Sequence, residues 1–167
     1  MAYYSTKTYG HERGLSAAFR QPRATHSHCS LLHGYALSFS FEFKANRLDD
    51  KNWVVDFGGL KELKDWLEDN FDHKTAVDAT DPQVGLFIQM EEAGMIELRV
   101  FDDGVGCEKF AYYAWRAADV IVRDMTDGRC ICTQCEVREH GANSAIYRHE
   151  PMLTTTSVDV IPNGVNA

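Results

Sequence analysis

The run YALSFSFEF, residues 35–43, leaves this chain little choice of fold. Tyr35, Leu37, Phe39, Phe41 and Phe43 alternate with Ala36, Ser38, Ser40 and Glu42, and a period of two sends the first set to one face of a β-strand and the second to the other. A face carrying three phenylalanines must be buried. The opposite face, built of small and polar groups, needs no apolar cover, so the architecture is a sheet packed on one side.

The cover lies downstream. Leu60, Leu63 and Leu67 recur at i, i+3 and i+7 in GGLKELKDWLEDNF, the spacing of an amphipathic helix. EKFAYYAWRAADVIVRDM reads as a longer helix with Phe110, Ala114, Ala117 and Ile121 on one face, ended by Gly128. Asp81-Pro82 starts a short helix that closes on Gly94. WVVDF (53–57), MIELRVF (95–101) and RCICTQCEVREH (129–140) read as strands, and GANSAIYR as a turn leading into another. The polar KANRLDDKN joins the first two strands into an antiparallel pair. Segregated strands and helices predict an α+β fold, an antiparallel sheet covered on one face by two main helices, with the bare face closing against further copies as an oligomeric β-barrel.

At 167 residues the chain suits one domain, residues 1–150, followed by a C-terminal tail, 151–167, of little periodicity. A net charge of -8 argues against a nucleic-acid partner. No apolar run approaches the roughly 18 residues of a membrane span, and the opening MAYYSTKTYGHERG lacks a secretory layout. A cytoplasmic setting is therefore expected, with Cys29, Cys107, Cys130, Cys132 and Cys135 as reduced thiols. Small molecules become the expected partners, and Lys7, Arg20, Arg23 and Lys74 the candidates for an anionic ligand.

Chemistry concentrates in HSHCSLLHGY, residues 26–35, which holds three of the chain's seven histidines and one of its five cysteines. Cys29 and His33 are four apart with His28 adjacent, and a thiolate beside imidazole can remove a proton. Taken alone, such a pair is more often packing than catalysis. Asp72-His73 adds a carboxylate able to orient an imidazole. The CICTQC run at 130–135 has no second Cys/His pair at zinc-finger spacing and reads as core thiols.

LSAAFR, CSLLHGY, WVVDFGGLK, FDH, CE and VREHGANSAIYR follow one another in an order and spacing that resembles the 6-pyruvoyltetrahydropterin synthase / 6-carboxytetrahydropterin synthase family, over roughly residues 5 to 150. The resemblance implies a tunnelling fold (T-fold) assembled as a homo-oligomer, a trimer or a homohexamer of two stacked trimers, with sites at subunit boundaries. It implies a carbon–oxygen lyase that converts the pterin 7,8-dihydroneopterin triphosphate to 6-carboxy-5,6,7,8-tetrahydropterin in queuosine biosynthesis. Cys29 would abstract the proton, Asp72 and His73 would assist, and Glu139 would grip the pterin ring, with Glu108 as a second family glutamate behind Cys107 in place of the usual Thr or Ser.

The family's zinc is held by three histidines, and the matching positions here are Phe19, His33 and Tyr35. Two expectations follow. Either His28, with His26 or His11, joins His33 as a Zn²⁺ ligand, or the protein binds no zinc and has departed from the family reaction. The competing readings are an enzyme that cleaves the pterin side chain differently and a non-catalytic pterin-binding protein.

Overall fold

The structure, a computed structural model, describes residues 1–149; the tail expected at 151–167 lies outside the described residues. Strands β1 (Tyr3–Tyr9), β2 (Leu15–Phe19) and β3 (His33–Ala45) come first, then helix α1 (Lys61–Phe71), β4 (Lys74–Asp78), α2 (Val84–Glu92), β5 (Glu97–Phe101), α3 (Cys107–Met125), β6 (Cys130–Arg138) and β7 (Ser144–Arg148). The sheet order is β5-β4-β2-β3-β6-β7, with β1 also on β3.

The alternating run is the spine of this sheet. β3 is long enough to serve two partners on one edge: its C-terminal part pairs with β1, from Tyr3↔Ala45 to Tyr9↔Phe39, and its N-terminal part with β2, from Leu15↔Leu37 to Phe19↔His33. Its other edge pairs with β6. Leu37, Phe39, Phe41 and Phe43 are buried to 1% exposure or less. Against them pack Leu63, Leu67 and Phe71 of α1 and Phe110, Ala114 and Val122 of α3, each large side chain contributing about 2 kcal/mol by leaving water. Ala118, rather than the expected Ala117, completes the buried stripe of α3, and the alanines let that helix approach closely. Cys130, Cys132 and Cys135 are fully buried core thiols, as their pattern predicts.

The bare face is polar. Thr8 Oγ1 and Ser40 Oγ are 2.8 Å apart, and the Thr133 hydroxyl donates to Glu42 Oε1 at 2.7 Å. Among the described residues no helix is long and apolar enough to cross a membrane.

Two expectations need correction. The sheet is mixed, because β4 runs parallel to β2 and β5 parallel to β4; α2 supplies the crossover that parallel neighbours require. WVVDF forms no strand. Asp49 Oδ1 accepts from the Lys51 and Trp53 amides at 2.9 and 2.8 Å, and Asp56 Oδ1 accepts from Gly58 at 2.8 Å. These aspartate turns offer the backbone a better local partner than a ladder, so Val54 and Val55 are buried by a loop, and β3 pairs instead with the N-terminal strands.

Candidate active site

The β2–β3 loop carries Cys29 and is tied at several points. Ser27 begins a single 3₁₀ turn, His28–Ser30, and its hydroxyl accepts from the Cys29 amide at 3.2 Å. The Cys29 carbonyl accepts from the Gln21 amide at 2.8 Å. Arg20 fastens the loop base to the head of α2: its Nε and Nη2 donate to the two carboxylate oxygens of Asp81 at 2.8 and 2.7 Å. The Asp81 side chain is fully buried, and the hydrogen bonds from Arg20 hold its carboxyl below the usual carboxylate range, against the opposing effect of burial. Cys29 is thus half-buried on a braced backbone.

Strand alternation brings His33 and Tyr35 to the helix-covered side, just beyond the fully buried Leu37. Opposite His33 in register stands Phe19, 1% exposed, its ring 5.0 Å from the imidazole, 6.2 Å from the Tyr35 ring and 5.1 Å from Phe110. His33 Nδ1 lies 2.7 Å from the Leu31 carbonyl. A carbonyl only accepts, so Nδ1 carries the hydrogen and Nε2 of the neutral ring is an acceptor.

Four polar groups converge beside this aromatic set. The Tyr35 hydroxyl has its pKa raised by burial first and then by the Glu139 carboxylate, with Cys29 and Cys107 as further neighbours. The Cys107 thiol, at the start of α3, is pushed up by burial, then by the charge of Glu139 and a hydrogen bond to that carboxylate, then by Glu108. It therefore stays protonated beside Glu139. The β6–β7 turn holds Glu139, whose amide donates to the Asn143 carbonyl at 3.3 Å, and sets His140 6.1 Å from the Tyr35 ring. Glu108 itself is exposed and lines an adjoining cavity of about 430 Å³, with Gln21, Arg23, Asp78 and Lys109, at the C-terminal ends of β4 and β5.

Asp72 and His73 pair with each other, Asp72 Oδ1 2.6 Å from His73 Nδ1, but stand elsewhere in the chain. Asp72 ends α1, and His73, its side chain 82% exposed, has a φ of 56° at the outer end of β4. Next to it Lys74 pairs with Glu97 of β5 and holds that carboxyl below its usual range. One chain therefore unites Cys29 with Glu139 but leaves Asp72-His73 apart.

The anion candidates are engaged otherwise: Arg20 with Asp81, Arg23 with the Thr80 hydroxyl at 3.0 Å, Lys74 with Glu97, and Lys7 over the rings of Tyr9 and Phe57. Zinc does not fit the residues present. Among the described residues no group of three or more His, Cys, Asp or Glu could hold a metal ion. The expected ligands His33 and His28 lack a third, because Phe19 offers no donor atom and Tyr35 keeps its proton, while His28 sits on an exposed turn. The Cys107 contact to Glu139, the place of His140 and the Arg20–Asp81 clamp were not readable from local pattern; the only signal was Cys107 standing where the resemblance expects a hydroxyl.

Residues 10–150 match the family model described as 6-pyruvoyl tetrahydropterin synthase. A 6-carboxy-5,6,7,8-tetrahydropterin synthase of Rickettsia conorii is 36% identical over 62 residues, 36% of this chain, and the match spans only 45% of that curated relative. The Bacillus subtilis protein of the same name is 26% identical over 134 residues, 80% of each chain. Among solved structures, an uncharacterized protein from Wolinella succinogenes superposes with a TM-score of 0.74 at 14% identity, over 90% of this chain and 99% of its own. The Caenorhabditis elegans 6-pyruvoyl tetrahydropterin synthase gives 0.57 at 15% identity, over 90% and 96%.

Proposed function

Because the chain belongs to the 6-pyruvoyl tetrahydropterin synthase family and has its tunnelling fold, we propose that it is a lyase of the 6-carboxy-5,6,7,8-tetrahydropterin synthase kind, acting on 7,8-dihydroneopterin triphosphate in queuosine precursor biosynthesis. The observation that carries this reading is that the start of β3 adjoins both the loop bearing Cys29 and the β6–β7 turn bearing Glu139, with His140 of that turn 6.1 Å from the Tyr35 ring. Glu139 accepts two hydrogen bonds from the amine and ring N–H of the pterin edge, a pairing that suits a carboxylate. Cys107, a buried thiol that keeps its proton, stands beside the same carboxylate. Cys29, on its braced turn, removes a proton from the substrate side chain, and triphosphate departs.

Asp72-His73 assists from a neighbouring copy. The site in one chain lacks that pair, and the chain is built to join others: β1 and β7 each have a strand on one side only, and the polar bare face suits a barrel lumen. The assembly is a trimer or a hexamer. Phe19 and Tyr35 favour a second reading, a pterin-binding protein without turnover.

Incubation of the purified protein with 7,8-dihydroneopterin triphosphate separates the two. Chromatography should show the substrate replaced by 6-carboxytetrahydropterin with release of triphosphate and of the two lost side-chain carbons as acetaldehyde. Substrate that binds and is recovered unchanged would establish the binding protein instead.

A further inference from the structure

We propose that this site works without a metal ion, and that the Tyr35 hydroxyl donates a hydrogen bond to a substrate oxygen where a three-histidine centre would place its cation. The ground is the residues that stand there. Phe19 and His33 are direct cross-strand partners, and His33 and Tyr35 lie two apart on one face of β3. Cross-strand neighbours hold their Cβ atoms about 5 Å apart, so the backbone presents a triangle of side chains from which three imidazoles could meet on one ion. Two corners of that triangle have lost the capacity. Phe19 is buried, wedged between the rings of His33 and Phe110, and has no lone pair to give.

The nearby histidines do not restore the count. His11 Nδ1 is taken up by the Ala36 carbonyl at 2.6 Å, and His26 and His28 are exposed on the β2–β3 loop. What remains polar at the triangle is His33 Nε2, an acceptor, and the Tyr35 hydroxyl. A phenol carries its proton at neutral pH, so that hydroxyl can donate. A neutral donor stabilises developing charge less than a divalent cation, but it does so without any need to acquire zinc. The role of Tyr35 rests on the pterin reading; the absence of a bound ion does not.

The test begins with elemental analysis of protein produced in zinc-supplemented medium. The wild type should hold less than about 0.1 zinc per chain, and the paired variant Phe19→His/Tyr35→His, with its triangle refilled, about one. A wild type that holds about one zinc overturns the proposal. So does a paired variant that takes none while its circular dichroism remains native, since the triangle itself would then be wrong. For the second half, Tyr35→Phe should lower kcat about 100-fold with little change in KM, the mark of a donor used mainly in the transition state; an unchanged kcat refutes it. A wild type inert towards the pterin would sink the pterin reading and the Tyr35 role together, while the zinc count would still decide the metal.

Discussion

On one side of β2 the strands run antiparallel and gather Cys29, Tyr35, Cys107 and Glu139 around a common space; on the other side β4 and β5 run parallel and carry Asp72-His73 at an exposed outer end. The antiparallel side joins residues more than a hundred positions apart through a single long strand and the start of α3. The parallel side is a compact βαβ unit whose polar pair has no partner in the cluster. On the proposed reading, grip and proton removal belong to one subunit and the assisting dyad comes from another. Besides the β2–β4 ladder, the Arg20–Asp81 pair ties the two sides together.

Removing the base should break the antiparallel side most severely. Cys29→Ala is expected to cut turnover about 1000-fold while binding persists, measured as single-turnover product formation. Asp81→Asn attacks the junction: withdrawing one partner of a pair whose acid is fully buried should cost about 3 kcal/mol in chemical denaturation. The sign with pH follows from the depressed carboxyl. Its contribution is present above the unfolded value and is lost as pH falls through the lower folded one, so the wild type should lose this component below about pH 4 and the variant should lack it.

Glu139→Gln keeps the shape of the grip but turns one acceptor oxygen into a donor, and pterin affinity by calorimetry should fall about 50-fold. The smallest effect is the most informative about the division. Cys29→Ala and His73→Ala proteins, each inactive alone, should regain about a quarter of wild-type activity after unfolding and refolding as an equal mixture, since each shared site draws at random on two copies. No recovery would mean that each chain completes its own site.

Legibility cut across this division, since β5 of the parallel side was read while β1 and β2 of the antiparallel side were not. The spine strand announced itself through five alternating large side chains, α1 and α3 through leucine and alanine spacing, and β5, β6 and β7 through short apolar runs. β4, Lys74–Asp78, escaped because its apolar residues Ala76 and Val77 are adjacent and show no alternation, and α2 is the crossover to its parallel partner β5. WVVDF misled because two adjacent valines look like a strand until Asp49 and Asp56 are read as turn builders. Within the site, Cys29 and Glu139 were signalled by a combination of short motifs. The contact between Cys107 and Glu139 joins residues far apart in sequence and leaves no local trace. Asp72-His73 was equally visible, but nothing in a linear sequence says that one chain leaves it apart from Cys29 and Glu139.

The clamp at Asp81 also bears on how this protein comes into being. It links positions 61 apart in sequence, so the loop beneath residue 29 is secured only after β4 and the head of α2 have docked. Local segments form sooner than such distant pairings. The reactive sulfur is therefore a latecomer to its own pocket, and a newly synthesised chain carries it loose until the flank that bears none of the grip has settled.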